Sequence, residues 1–124
     1  MFTLKEELGR GAFGFVHKAI HVDGFQLAIK QINDLENKDE IQNEIDILKM
    51  CSHSNIVSYF GTVKNPNGSL WILMEYMSLG SIRSMIDGRK SPLNEKELAY
   101  VLFYILKGLN YLHSRGIIHR DIKA

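Results

Sequence analysis

The sequence predicts an α+β fold in two parts: a five-stranded antiparallel sheet with one helix, then the first helices of a mainly α part. Two observations point there. Up to about residue 77, short runs of strand-forming residues bounded by turn pairs surround one stretch with helical spacing. After Ser78-Leu79-Gly80 the apolar spacing turns helical and stays so to Ser114. The boundary is therefore expected between 1–77 and 78–124. Hydrophobic residues make up 45% and charged residues 23%, the balance of a globular chain.

The first two strands, Thr3 to Leu8 and Phe15 to Ile20, flank Gly9-Arg10-Gly11-Ala12-Phe13-Gly14. A dinucleotide-binding turn of this spacing would lead into a helix. Here it leads into Phe15-Val16-His17-Lys18-Ala19-Ile20, so it forms a hairpin with three glycines at its tip. Such a tip lets backbone N–H groups approach phosphate oxygens. Taken alone, it serves equally well as a flexible turn with no ligand.

Phe25 to Ile32 is the third strand. Period two puts Gln26, Ala28, Lys30 and Ile32 on one face and Phe25, Leu27, Ile29 and Gln31 on the other. A small residue beside a lysine leaves room for a flat ring next to a cation, although an edge lysine in water gives the same pattern. The helix that follows is expected to start at a capping Asn37 and to bury Ile41, Ile45 and Leu48. Glu44 falls on that same stripe. A carboxylate buried there costs several kcal/mol unless paired; Lys30 is the natural partner, and a place at the solvent rim of the stripe is the alternative.

Cys51 to Asn55 is read as a connection, and Ile56 to Val63 and Leu70 to Tyr76 as strands joined through Asn65-Pro66-Asn67-Gly68. Leu70 to Met74 is nearly continuous apolar, as in a strand covered on both faces; Met74 is plain core or the wall of a pocket. Past the boundary, a short helix is expected at Ser81 to Asp87. A long one follows, capped by Asn94 with Glu97 and stopped at Gly116.

The formal charge is +1 with no basic run, so neither nucleic acid nor an anionic membrane is an expected partner. Cys51 is the single cysteine, which excludes an internal disulfide, and the five histidines lack zinc spacing. No leader pattern appears, and the longest apolar run, Ala99 to Leu106, is too short for a bilayer. The expected setting is cytoplasmic, with the nucleus as the other default.

Leu8-Gly9-Arg10-Gly11-Ala12-Phe13-Gly14-Phe15-Val16, Ala28-Ile29-Lys30, Asn43-Glu44-Ile45, His53-Ser54-Asn55-Ile56-Val57, Met74-Glu75-Tyr76-Met77 and His119-Arg120-Asp121 occur in this order. Together they resemble a protein kinase domain over essentially the whole chain. Lys123, two residues after Asp121, resembles the serine/threonine type. Leu70-Trp71-Ile72-Leu73-Met74-Glu75-Tyr76 with Gly80-Ser81 and His119 to Ala124 is similar to the sterile-twenty group, especially its Hippo-type members; MAP kinase kinase kinases share much of this wording.

The resemblance implies an N-lobe over 1–77 and the start of a C-lobe over 78–124, with ATP-dependent phosphorylation of protein Ser or Thr hydroxyls. The backbone of Gly9, Arg10, Gly11, Ala12, Phe13 and Gly14 would cover the phosphates of ATP. Lys30 would hold two of them, with Glu44 pairing it. Leu8, Val16, Ala28 and Met74 would line the adenine slot, and backbone groups of Glu75 and Met77 would meet its edge. Asp121 would accept the hydroxyl proton, and Lys123 would steady the phosphoryl group. Leu48, Tyr59 and His119 would stack in the hydrophobic spine.

The resemblance also places the catalytic-loop Asn and the Asp-Phe-Gly motif, with the Mg²⁺ ligands, beyond Ala124. The chain by itself is then expected not to turn over ATP, and to self-associate through an uncovered long helix. A non-catalytic pseudokinase or dimerisation module is the other class considered. Intact Lys30, Glu44 and Asp121 argue against it.

Overall fold

A computed structural model describes residues 1–11, 14–33 and 37–123. The expected glycine-loop residues Ala12 and Phe13, and Ala124, lie outside the described residues. The chain divides into two compact units, one of Met1–Ser52 with Val57–Tyr76, the other of His53–Ile56 with the residues from Met77 on.

In the first unit, β1 (Phe2–Gly11), β2 (Gly14–His21), β3 (Gln26–Ile32), β4 (Tyr59–Lys64) and β5 (Leu70–Glu75) form one antiparallel sheet in the order β1-β2-β3-β5-β4. The helix α1 (Lys38–Met50) lies between β3 and β4 in sequence. β-Branched and aromatic residues supply the strands, and short turns set the registers. His21 closes one turn by accepting from the Gly24 N–H at 2.8 Å. Asn65 closes the other by accepting from Gly68 at 2.9 Å.

The period-two alternation of β3 sorts the core into two clusters. Leu27 and Ile29 join Ala19 and Leu73 on one face, with Phe2, Leu4 and Trp71 packed around them. Ile32 joins Ile72 on the other, where α1 brings Ile41 and Ile45 and the flanks are Leu48, Tyr59, Leu70 and Met74. Leu27, Ile29, Ile32 and Ile72 are fully buried, each contributing about 1.5–3 kcal/mol. A one-residue slip in β3 would exchange these two sets and bury Lys30 in the wrong cluster.

Two local expectations need correction. Asn37 stands at the N-cap of α1 but makes no side-chain cap bond. Its φ of −96° and ψ of 49° are not the extended geometry that aims a cap side chain at the first free N–H groups. The strand expected from Ile56 begins at Tyr59. The Asn55 N–H donates to His53 Nδ1 at 3.0 Å and the Ile56 N–H to the His53 carbonyl at 3.0 Å. That tight turn uses the groups a ladder would need.

The second unit holds α2 (Ile82–Arg89) and α3 (Glu95–Ser114). Ser81 caps α2 by accepting from the Ser84 N–H at 3.0 Å. α3 opens on a full capping box: Glu97 N–H to Asn94 at 3.0 Å and Asn94 N–H to Glu97 at 2.8 Å. Arg89 grips both oxygens of the same Glu97, at 2.7 and 2.8 Å, and also reaches the Pro92 carbonyl. These bonds from Arg89 and Asn94 hold the Glu97 carboxyl down at about 2.

Gly108 is where the segment His53–Ile56 meets α3. A Cβ there would lie 2.9 Å from the Asn55 carbonyl oxygen, so only glycine admits this approach. His53 stacks on Tyr111 with centroids 4.8 Å apart. Elsewhere the apolar stripe of α3 is open: Leu98, Leu102 and Ile105 are exposed, while Leu112 is buried. The apolar face expected to be left uncovered on this helix is thus open over Leu98, Leu102 and Ile105 and closed only near its Gly108–Leu112 end.

Candidate functional site

Lys30 sits within β3 and Glu44 at the middle of α1, between the buried Ile41 and Ile45. The Lys30 ammonium reaches both carboxylate oxygens, at 2.6 and 2.9 Å. The lysine side chain is 14% exposed and the glutamate 35%. The contact is therefore partly shielded from water, where a charge-assisted bond is stronger than one on the surface.

Cross-strand register shows what surrounds that cation. Val16 of β2 pairs with Lys30, and Ile72 of β5 pairs with it from the other side. Ala28 pairs with Lys18 and with Met74. Directly paired residues share a face, so Val16, Ala28, Lys30 and Met74 lie on the face that also receives α1. Leu8 is exposed on β1. An ammonium fixed by a carboxylate, beside a small residue and apolar neighbours, suits an anion attached to a flat ring.

The glycine hairpin is built by β1 and β2, with Gly9 opposite Val16 and Gly11 opposite Gly14. A Cβ at Gly9 would meet nothing within 4 Å. At Gly14 it would fall 1.7 Å from the Gln31 carbonyl oxygen. The third glycine is thus demanded by the close approach of β2 to β3, and the first by no neighbour among the described residues. Arg10 turns its guanidinium to Glu7 at 2.9 Å and over the Phe15 ring at 4.8 Å.

At the exit of β5, the Glu75 N–H donates to the Ser58 carbonyl at 2.9 Å, and its carboxylate accepts from the Ser58 N–H at 3.1 Å. Tyr76 is the last residue of the first unit, and Met77 belongs to the second. Leu48 and Tyr59 pack against the cluster under α1.

In the second unit, residues 117–123 form no regular element. The Asp121 N–H donates to His119 Nδ1 at 3.2 Å, and Lys123 Nζ lies 3.3 Å from Asp121 Oδ2. Both side chains are about three-quarters exposed, so this pair adds little stability. Arg120, between His119 and Asp121, holds a φ of 63°, a costly left-handed conformation for a non-glycine residue. Among the described residues, no cluster of three or more His, Cys, Asp or Glu side chains could hold a metal ion. No described helix is long and apolar enough to cross a membrane.

Sequence reading passed over Lys18. It has the parity of Val16 in β2, and its ammonium lies 4.8 Å from the Tyr76 ring centroid. That parity was the available signal. The partner ring, 58 positions further along the chain, left none.

The protein kinase domain family matches residues 2–124. The chain is 50% identical to serine/threonine-protein kinase pakF of Dictyostelium discoideum, over 99% of this chain and 10% of the relative. It is 52% identical to pakG of the same organism, over 100% of this chain and 10% of the relative. It is 46% identical to serine/threonine-protein kinase cst-1 of Caenorhabditis briggsae, over 100% of this chain and 25% of the relative. The chain thus spans between a tenth and a quarter of the length of these curated relatives.

Proposed function

The chain belongs to the protein kinase domain family, and from that premise we propose that it is the ATP-binding part of a serine/threonine kinase that phosphorylates proteins. The observation that carries this reading is the Lys30–Glu44 contact on the sheet face shared with Val16, Ala28 and Met74. The names of the relatives, pak and cst-1, support a signalling kinase of the sterile-twenty group. A MAP kinase kinase kinase is the alternative subgroup.

ATP supplies the phosphoryl group. Lys30 neutralises charge on its α- and β-phosphates, and Glu44 keeps the ammonium from swinging away. Gly9 to Gly14 cover the phosphates with backbone N–H groups, the open space at Gly9 leaving them room. Leu8, Val16, Ala28 and Met74 hold the ring apart from water. The Glu75 N–H is already taken by Ser58, which leaves its carbonyl, with the Met77 N–H, to meet the ring edge.

Asp121 orients the Ser or Thr hydroxyl and accepts its proton, and Lys123 balances charge on the transferring group. No step through Mg²⁺ is assigned to residues of this chain. In this reading residues 1–77 are an N-lobe and 78–124 the start of a C-lobe. A cytoplasmic setting belongs to the same reading, since Cys51 has no second cysteine to pair with.

The test is phosphoryl transfer to a Ser/Thr protein substrate by the full-length protein. Asp121→Asn is expected to lower kcat at least about a hundredfold while ATP still binds. Transfer that survives the substitution would remove Asp121 from its role.

A further inference from the structure

Lys18 is a cation on this sheet face that the proposed mechanism leaves unused. Its side chain is only 19% exposed. It stands in β2 opposite Ala28, which in turn stands opposite Met74 of β5. Two strand spacings, about 10 Å, separate β2 from β5. The lysine reaches along this face towards the end of β5, and its ammonium ends 4.8 Å from the centroid of the Tyr76 ring. Glu6 of β1 lies 3.8 Å from the same ammonium, from an exposed position.

Tyr76 directly follows the residue whose carbonyl is proposed to meet the ring edge of the nucleotide. The backbone at this point is held by two devices. Ser58 takes the N–H and the carboxylate of Glu75, and Lys18 takes the aromatic face of Tyr76. A cation over a ring in a partly desolvated place is attracted by the ring quadrupole. A half-buried lysine whose charge is spent this way is poorly placed to act as a second phosphate ligand.

We propose that Lys18 is a positioning residue for the nucleotide's ring: through Tyr76 it fixes the backbone between Glu75 and Met77 in the place where it meets adenine. This rests on the nucleotide-binding reading above. It adds a cation that serves ring recognition and not phosphate charge.

The two uses of a lysine separate experimentally. In the full-length protein, Lys18→Met is expected to raise the KM for ATP about three- to tenfold with kcat within about twofold. Its Kd for adenosine, which has no phosphate, should weaken by the same factor. Lys18→Arg should restore both, because a guanidinium also sits over a ring. Tyr76→Phe should behave as wild type and Tyr76→Leu should match Lys18→Met, with the double variant Lys18→Met/Tyr76→Leu no worse than either single one. A loss confined to ATP, with adenosine unaffected, would make Lys18 a phosphate ligand and overturn the proposal. So would an unchanged KM accompanied by a lowered Tm, which would mark a purely structural contact. If wild type binds neither ATP nor adenosine, the nucleotide reading itself fails, a result separate from either of these.

Discussion

Replacing Gly14 by alanine and Gly9 by alanine should have opposite effects on stability, although both glycines belong to the same hairpin. At Gly14 the new methyl group would sit 1.7 Å from the Gln31 carbonyl oxygen and 2.9 Å from its carbon. Both are backbone atoms, so neither can rotate away, and the end of the β2–β3 ladder at Gly14 and Ile32 must open. Overpacking ordinarily costs about 1–3 kcal/mol, and a clash this deep with backbone belongs at or above the top of that range. At Gly9 the methyl group meets nothing within 4 Å. Only the unfolded chain loses freedom there, worth about 0.4–1 kcal/mol in favour of folding. Urea unfolding of each variant reads the difference, with Gly14→Ala losing about 3 kcal/mol or more and Gly9→Ala gaining slightly. The same Gly9→Ala protein should bind ATP more weakly, because the methyl group fills space that the proposal gives to phosphate. Equal loss of stability in the two variants would refute the assignment of distinct roles to them.

Three further outcomes follow from single contacts. Asn94→Ala should cost about 1 kcal/mol by removing half of a capping box, whereas Asn37→Ala should cost almost nothing, since its side chain makes no cap bond; thermal melting compares the two. Glu97 titrates near 2 when folded, below its value in the unfolded chain. Its contribution is therefore fully present above about pH 4.5 and drains away as pH falls towards 2. Amide exchange in the first turn of α3 should accelerate across that window, and Glu97→Gln should remove the pH dependence. Glu44→Ala should destabilise the first unit by about 1–3 kcal/mol, because the partly buried Lys30 ammonium loses both of its contacts to that carboxylate. Lys30→Met/Glu44→Ala should recover part of that loss, measured by urea unfolding.

What could be read from residues alone was whatever depends on local period and on turn chemistry. Period two in Gln26 to Ile32 fixed which side chains face α1. The position of Glu44 between Ile41 and Ile45 demanded a partner, and Lys30 supplies it at 2.6 Å. Asn94 and Glu97, three apart, were enough to place the start of α3. The serine/threonine kinase family could be read from the ordered motifs, and the matches to relatives agree with it.

Features that depend on approach between distant segments were not legible. No local signal says that His53–Ile56 leaves the sheet for Gly108 of α3, because the fit depends on a missing Cβ more than fifty residues away. The glycine pattern invites one explanation for all three glycines, yet Gly14 is required by the carbonyl of Gln31. Asn37 has the right residue type for a cap, but its backbone angles deny it the bond.

Titration calorimetry of ATP and of adenosine against wild type and Lys30→Met tests the nucleotide assignment most directly. Removing the ammonium should abolish about 10- to 100-fold of the preference for ATP over adenosine while leaving adenosine within about twofold, the size of one charge-assisted phosphate contact. A Lys30→Met protein that keeps its full preference for ATP would show that the cation held by Glu44 does not meet the phosphates.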